Sequence, residues 1–244
     1  MRVAELWRYP VKSLQGERLD EVTVTADGLQ GDRRFAIFDL QTGFGLTGRR
    51  VPELLFASAH LTPDGRPRIT LPDGSTVSQD DQLSAWLGRP VALRSSEADA
   101  VRRYEDVVDF EREQSSQWRS FDGAGGPFHD SPHARISLVS IATIGTWDRR
   151  RFRPNALLDG DGEDDLVGST VSFGSATIEL VHKIQRCVMV TRPQPDGIDR
   201  DLDVLGTIAV DRGARLAVGA LVCHPGIVRV GDHLRVQPNT GPHN

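Results

Sequence analysis

The stretch around which the chain is organised runs from Lys183 to Thr191 and reads Lys-Ile-Gln-Arg-Cys-Val-Met-Val-Thr. Its apolar run predicts a strand over 185–190. Cys187 follows Arg186, and a neighbouring cation favours the thiolate form of a cysteine. Two interpretations stay open on this stretch alone. The cysteine is a reactive or metal-binding thiolate, or it only packs, since free cysteines are among the most buried residues.

The composition is that of an ordinary soluble protein. The 244 residues suggest one or two domains, and 38% of them are hydrophobic. The net charge of −5 argues against a nucleic-acid partner. The two cysteines, Cys187 and Cys223, form no Cys-x-x-Cys motif of the kind that binds zinc or an iron–sulfur cluster. With neither a signal-peptide pattern nor a long apolar stretch, the sequence predicts a cytoplasmic protein without a membrane partner.

Short strands separated by turn signals dominate both halves of the chain. Val22 and Val24 alternate with polar residues, which is the pattern of a half-buried strand. Further strands are predicted at 34–40, 44–47, 91–94, 135–139, 152–158, 168–174, 177–182, 217–223 and 227–236. Helices are predicted at 80–87, ended by Gly88, at 141–150, capped by Ser140, and as a turn or more within 197–205. The fold class is therefore mainly β with a few helices (α+β), built as barrels or sandwiches.

A polar segment divides the chain into two parts. We predict a first domain over 1–96, a linker or lid over 97–132, a second domain over 133–237 and a disordered tail over 238–244. The segment 97–132 is rich in charge and glycine, and we predict a helix around 101–113 within it. A loop of this length either covers a site or is a disordered connector between the two domains, and both interpretations stay open.

Three further clusters of polar side chains accompany the Cys187 stretch. They are the turn at Lys12 and Ser13, the Gly-Asp-Arg-Arg turn that holds Arg33, and the Arg-Phe-Arg-Pro-Asn segment at 151–155. In an extended segment, alternate residues share one face, which here groups Arg151, Arg153 and Asn155. Each cluster alone is compatible with solvated surface charge.

Together these clusters supply what a phosphate group needs. Arginine offers a planar fork for bidentate hydrogen bonds to phosphate oxygens. Ser140 either adds a hydroxyl at the start of its helix or only caps that helix. A phosphate-bearing cofactor beside the Cys187 thiolate is the hypothesis that unites them.

These motifs resemble those of the MOSC-domain proteins, the family related to the C-terminal part of molybdenum cofactor sulfurase. The similarity is to the members in which a MOSC N-terminal β-barrel domain precedes a MOSC β-barrel domain, and it covers nearly the whole chain. The residues that carry it are Pro10-Val11-Lys12-Ser13, Gly31-Asp32-Arg33-Arg34, Arg151-Phe152-Arg153-Pro154-Asn155 and Arg186-Cys187 followed by Thr191.

The resemblance implies a set of site residues. In the family's reductases, the mitochondrial amidoxime-reducing component and its bacterial relatives, this cysteine ligates molybdenum that is also bound by a pyranopterin. Cys187 is then the metal ligand, and Asp130 is a catalytic residue near the open face of the metal. The implied cofactor-binding residues are Lys12, Ser13, Arg33, Ser131, Ser140, Arg153, Asn155, Arg186 and Thr191.

The resemblance also implies a reaction. The expected activity is reduction of N-hydroxylated compounds by oxygen-atom transfer to the molybdenum-molybdopterin cofactor (Moco). Electrons would come from a separate flavin or iron–sulfur reductase, since the cofactor carries the chemistry and the protein supplies orientation and electrostatics. The alternatives are a non-catalytic carrier of the cofactor, or a sulfur carrier that uses a Cys187 persulfide.

Overall fold

The computed structural model describes residues 1–97 and 102–238, and it confirms the mainly β fold with a few helices. The strands, in chain order, are β1 (Arg2–Arg8), β2 (Glu17–Leu19), β3 (Glu21–Thr25), β4 (Gly28–Leu29), β5 (Phe35–Asp39), β6 (Ser58–Leu61), β7 (Pro67–Thr70), β8 (Thr76–Val77), β9 (Val91–Ser95), β10 (Arg103–Val107), β11 (Trp118–Asp122), β12 (Ile136–Ser140), β13 (Ala156–Asp159), β14 (Thr170–Phe173), β15 (Ala176–Gln185), β16 (Arg215–His224), β17 (Gly226–Arg229) and β18 (Arg235–Val236). The α-helices are α1 (Asp80–Leu87), α2 (Ile141–Ile144) and α3 (Asp203–Arg212). Short 3-10 helices span Pro52–Phe56, Arg149–Arg151, Glu163–Leu166 and Val188–Thr191.

An eight-stranded sheet forms the centre of the second half, in the order β18-β14-β15-β16-β12-β13-β1-β2. Strands β12 and β13 pair in parallel, and the other neighbours pair antiparallel. Alternate side chains on these strands, including Leu6, Leu158 and Val218, are buried in one apolar cluster. The sheet therefore presents a rigid platform whose strand ends can carry a site.

A second apolar core lies in the first half. It gathers side chains from the β5–β9 pair, the three-stranded β6-β7-β8 sheet and helix α1, including Ile37, Leu54 and Leu83. Helix α1 begins after Gln79, which forms a capping box with Gln82, and ends at Gly88 with φ 64°. The predicted helix at 80–87 is thus confirmed with its stop residue.

The two halves share strands. β1 and β2 belong to the large sheet, and β3 pairs with β17 near the end of the chain. Val3 and Leu6 of β1 pack in the same cluster as residues of β12 and β13. The core of the first half is therefore built from residues 11–91, whereas the core of the large sheet combines residues 3–29 with residues 136–234. The predicted boundaries at residues 96, 132 and 237 stay a prediction.

The predicted helix around 101–113 is wrong for the part of it that the structure describes. Residues 103–122 form the β10–β11 hairpin, in which Tyr104 pairs with Phe121 at 5.7 Å between ring centroids. This cross-strand aromatic pair favours a hairpin over a helix. Of the predicted tail, residues 239–244 lie outside the described residues.

The prediction of a strand at 185–190 is also wrong beyond its first residue. β15 ends at Gln185, and Val188–Thr191 is a 3-10 helix, so Cys187 lies in the loop between them. Side chains satisfy the carbonyls of this segment, since the Thr191 hydroxyl donates to Val188 O and the Arg151 guanidinium donates to Val190 O. A neighbouring strand is therefore not required.

Several other boundaries differ from the prediction. The helix predicted at 141–150 ends at Ile144 because Gly145 adopts φ 61°, and a 3-10 helix follows at Arg149–Arg151. The helical turn expected within 197–205 is helix α3, which runs from Asp203 to Arg212. The strand predicted at 152–158 begins only at Ala156, residues 44–47 form a single bridge, and 227–236 splits into β17 and β18. In the part of the chain that the structure describes, no helix is long and apolar enough to cross a membrane.

Candidate functional site

A cavity of about 570 Å³ opens between the two halves of the chain. Nine of the eleven predicted site residues line it: Lys12, Ser13, Arg33, Asp130, Ser131, Arg153, Asn155, Arg186 and Cys187. Eight of the lining side chains are lysines or arginines, and Asp130 is the only acidic one among the lining residues. The cavity is therefore strongly cationic, as an anionic ligand requires.

Three of the lining residues hold strained backbone. Ser13, Arg33 and Arg153 all have positive φ, at 69°, 49° and 52°. This left-handed conformation costs a residue with a side chain roughly 1–2 kcal/mol. Such residues concentrate at ligand sites, where the surroundings force the conformation. The backbone here is shaped to turn these side chains toward the cavity.

The guanidinium groups of Arg33 and Arg153 contact the ring of buried Tyr9, at 4.6 and 4.3 Å from its centroid. Asp32, also buried, accepts hydrogen bonds from Arg33 and from Asn155 Nδ2. Asn155 therefore orients Asp32, and through it Arg33. Burial lowers the pKa of Arg153 to about 10, although neighbouring Tyr9 opposes the shift and Arg33 adds to it.

Arg186 reaches back from the cavity into the protein. Its Nε donates to Leu216 O at 2.7 Å and its Nη1 to Phe152 O at 3.2 Å. Burial lowers the pKa of Arg186 to about 10. Cys187, the next residue, is half-buried, and its Sγ accepts a hydrogen bond from Arg49 Nε at 3.3 Å.

Asp130 joins two cations across the cavity wall. One of its oxygens accepts from Lys12 Nζ at 2.5 Å, and the other accepts from Arg49 Nη2. Although burial opposes it, the charges of Arg49 and Lys12 hold the pKa of Asp130 well below its usual range. The carboxylate is therefore ionised at neutral pH, and its oxygens are already engaged by these two side chains.

Lys12 packs against the β10–β11 hairpin. Its Nζ lies 4.5 Å from the centroid of the Tyr104 ring and donates to Phe128 O at 2.8 Å. The Tyr104 ring lies between two glycines, Gly45 and Gly123, where an added Cβ would collide with it. Burial lowers the pKa of Lys12, and Asp130 opposes that shift.

Three buried polar atoms of the lining residues have no hydrogen-bond partner among the residues that the structure describes. They are Arg153 Nη1, Arg186 Nη2 and His129 Nε2. A buried donor left without a partner costs about 1–3 kcal/mol. Burial and the charges of Arg33 and Arg135 hold the pKa of His129 well below its usual range, so its imidazole is neutral. The two guanidinium donors fit an anionic ligand with several acceptor oxygens, such as a phosphate ester.

Cys187 is the thiol that this cavity offers to a metal. Thiolates suit soft or sulfur-bound transition metals. Within residues 1–97 and 102–238, no group of three or more His, Cys, Asp or Glu side chains is arranged to hold a metal ion. A cofactor that brings its own sulfur ligands together with a phosphate fits the single cysteine and the cationic donors around it.

Two predicted site residues do not line the cavity. Ser140 is fully buried, and its Oγ caps helix α2 by accepting from Thr143 N at 3.0 Å. Thr191 is also fully buried, and its hydroxyl donates to Val188 O at 2.8 Å. In the geometry observed, both hydroxyls serve the local backbone. Arg151, predicted to share a face with Arg153, does line the cavity, and its guanidinium donates to Val190 O and Arg192 O.

Neither Arg49 nor His129 is among the site residues predicted from the sequence. The signal for Arg49 is the tight turn Leu46-Thr47-Gly48-Arg49-Arg50, in which Arg50 N and Val51 N both donate to Thr47 O. An added Cβ on Gly48 would lie 3.3 Å from the sulfur of Met189. The turn therefore packs closely against the segment that follows Cys187.

Comparison with known proteins agrees with this architecture. Residues 1–113 match the family model of the MOSC N-terminal beta barrel domain, and residues 126–235 match that of the MOSC domain. The chain is 26% identical to mitochondrial amidoxime reducing component 2 of Bos taurus, over 81% of this chain and 68% of that protein. It is 25% identical to mitochondrial amidoxime-reducing component 1 of Mus musculus, over 94% of this chain and 80% of that protein.

A further relative is much longer than this chain. The molybdenum cofactor sulfurase of Drosophila grimshawi is 27% identical over 97% of this chain, which spans only 33% of that protein. The sequence identity to this sulfurase and to the two amidoxime-reducing components is under a third in each case. The two domain matches, in this order along one chain, show that it belongs to the MOSC-domain proteins that carry a MOSC N-terminal β-barrel domain.

Proposed function

We propose that this protein binds molybdenum-molybdopterin (Moco) in the cavity and reduces N-hydroxylated compounds. One observation carries the proposal. Arg153 and Arg186 each carry a buried guanidinium nitrogen, Nη1 and Nη2 respectively, that has no hydrogen-bond partner in the described part of the chain, and both residues line the same cavity as Cys187. A phosphate-bearing cofactor with a sulfur-bound metal would satisfy both kinds of group. The similarity to proteins named amidoxime-reducing components supports the substrate class.

The chain's own residues would divide the work of holding the cofactor. Lys12, Arg33 and Arg153 supply cations for the phosphate, and Ser13 shapes the turn beside them. Arginine forks bind phosphate oxygens two at a time, which fixes orientation as well as charge. Cys187 supplies the thiolate ligand. When bound, the cofactor supplies oxygen-atom transfer and two-electron chemistry.

The reaction consumes two electrons and two protons for each N–O bond cleaved, and it releases the amine or amidine and water. A separate flavin or iron–sulfur reductase is the proposed source of the electrons. Asp130 is ionised and bonded to Lys12 and Arg49, so in this geometry its role is to hold those two cations in place. The neutral His129 imidazole beside it can donate or accept one hydrogen bond to a ligand.

The test is production of the protein in a host that makes the cofactor, followed by elemental analysis for molybdenum. We expect stoichiometric molybdenum and reduction of benzamidoxime by a chemical electron donor. Cys187→Ala should lose both the metal and the turnover. Cys223→Ala is the matched control, because Cys223 is exposed on β16 and does not line the cavity. Retained turnover in Cys187→Ala would contradict the assignment of Cys187 as the metal ligand.

A second candidate function is transport of the cofactor or of sulfur. The similarity to a molybdenum cofactor sulfurase favours it, together with a half-buried Cys187 that opens on the cavity. A metallated protein that reduces no N-hydroxylated compound would support the cofactor carrier. A persulfide on Cys187 of the cofactor-free protein, detected by mass spectrometry of its peptides, would support sulfur transfer.

A further inference from the structure

The Arg49 guanidinium donates hydrogen bonds to two residues of the site at once. Its Nε donates to Cys187 Sγ at 3.3 Å, and its Nη2 donates to the carboxylate of Asp130. The three residues come from distant parts of the chain, with 138 positions between Arg49 and Cys187 and 81 between Arg49 and Asp130. A single planar group therefore sets the spacing between the thiol and the carboxylate.

The surroundings of Arg49 leave its guanidinium little freedom. The side chain is only 8% exposed, and the Phe121 ring of the β10–β11 hairpin lies 5.4 Å from its central carbon. Asp106 of the same hairpin approaches its Nε at 3.8 Å. The main-chain carbonyl of Arg49 accepts a hydrogen bond from Arg192, close after the Cys187 loop. The turn, the hairpin and the Cys187 loop are thus fastened together at Arg49.

We infer that Arg49 is a positioning residue of the site, which holds the Cys187 sulfur and the Asp130 carboxylate in fixed relation to each other. The inference rests on the proposed function. Its new content is a specific requirement for the arginine fork. A guanidinium presents its donors in a rigid plane, whereas a lysine ammonium is a point charge on a flexible stem and cannot span both acceptors in the same way.

The competing explanation is that Arg49 only stabilises the fold through its packing on the hairpin. Arg50 separates the two explanations. It packs on the same hairpin, with its guanidinium 4.4 Å from the Trp118 ring and 3.5 Å from Glu105, but it does not line the cavity. Arg50→Lys therefore changes the same type of residue on the same hairpin without touching Cys187 or Asp130.

The experiment compares Arg49→Lys, Arg50→Lys and the unaltered protein, each produced with cofactor. For Arg49→Lys we expect molybdenum content within about twofold of the unaltered protein, kcat lowered by about tenfold or more, and KM changed by less than about twofold. X-ray absorption at the molybdenum edge should show a changed sulfur shell. Arg50→Lys should leave the kinetics and the spectrum unchanged.

Two results would overturn the inference. One is an Arg49→Lys protein whose sulfur shell and kcat equal those of the unaltered protein. The other is an equal loss of kcat in both variants, which would assign Arg49 a general packing role. Thermal unfolding of the cofactor-free variants checks that each is folded, and Arg49→Met gives the effect of losing the charge as well.

Failure of the proposed function is separable from failure of this inference. If the unaltered protein carries no molybdenum, the proposed function fails, and the Arg49 contact is then tested on cofactor-free protein by a double-mutant cycle of Arg49→Lys and Asp130→Asn. A double variant whose Tm falls by clearly less than the sum of the single losses supports the contact. Additive losses overturn it.

Discussion

Replacing Asp130 by Asn should destabilise the cofactor-free protein, because two cations would lose their shared anion. The side chains of Lys12 and Arg49 are each 8% exposed, whereas that of Asp130 is 44% exposed. Breaking a fully buried pair costs about 3–5 kcal/mol. Solvent at the carboxylate screens part of this energy, and the Asn carbonyl can still accept one hydrogen bond. We therefore expect a loss of about 2 kcal/mol in the free energy of unfolding.

This loss corresponds to a fall in Tm of about 4–8 °C for a protein of this size. Differential scanning calorimetry of the cofactor-free protein at pH 7 measures it. Asp106→Asn is the control, because Asp106 is as exposed as Asp130 but lies 3.8 Å from Arg49 Nε, which is too far for a hydrogen bond, so the control should cost less than about 1 kcal/mol. A fall of under about 1 °C in Asp130→Asn, or equal falls in both variants, would refute the reasoning.

The pH dependence of this difference has a defined sign. The pKa of Asp130 in the folded protein lies below the ordinary value of 3.8, so the native state binds fewer protons than the unfolded chain near that pH. The stability that Asp130 contributes is thus fully present above pH 3.8 and is lost as the pH falls toward the lowered pKa. The Tm difference between the unaltered protein and Asp130→Asn should stay constant from about pH 5 to 8 and shrink in stronger acid.

Three further substitutions test other parts of the site. Burial holds the pKa of His129 well below 6.5, so the free energy of unfolding should fall as the pH drops below 6.5. His129→Gln should reduce the difference in this free energy between pH 7 and pH 5, measured by urea unfolding. An equal difference in the variant and the unaltered protein would contradict this. Ser140→Ala should cost about 1 kcal/mol by removing the cap on Thr143 N, yet keep the molybdenum content; loss of molybdenum with an intact fold would return Ser140 to the cofactor site. Gly45→Ala places a Cβ 2.8 Å from Tyr104 Cδ1, so the ring must move and Tm should fall by an amount equivalent to about 1–3 kcal/mol; an unchanged Tm would show that the ring relaxes freely.

Local patterns were sufficient to predict some elements. The residues that begin and end helix α1 lie directly beside it in the sequence. Its predicted range was confirmed together with Gly88 as the residue that ends it. Ser140 was recognised as a cap for the same reason, since a capping hydroxyl acts within three residues. The Cys187 loop was not predictable in this way. Its apolar run resembles a strand, but carbonyl partners such as the Arg151 guanidinium come from 39 residues away.

Non-local contacts explain what the sequence could not reveal about the site. Arg49 looks like a surface arginine in a turn, and its partners lie 81 and 138 positions further along the chain. The β10–β11 hairpin was also missed, because its aromatic pair forms between Tyr104 and Phe121, which share no local pattern. The motifs at Lys12 and Arg33 were found because each is a compact cluster of charged residues beside a turn.

The site belongs to neither half of the chain alone. Lys12 and Arg49 lie within the MOSC N-terminal match, whereas Asp130 and Cys187 lie within the MOSC match. The hydrogen bonds of Lys12 and Arg49 to Asp130, and of Arg49 to Cys187, all cross between the two matches. The two matched regions also meet where β1 pairs with β13, since this pairing adds the first strand of the chain to the MOSC sheet. The geometry around the Cys187 thiol therefore depends on how the two units are joined. Of the hairpin residues that brace Arg49, Asp106 lies within the MOSC N-terminal match and Phe121 lies between the two matches.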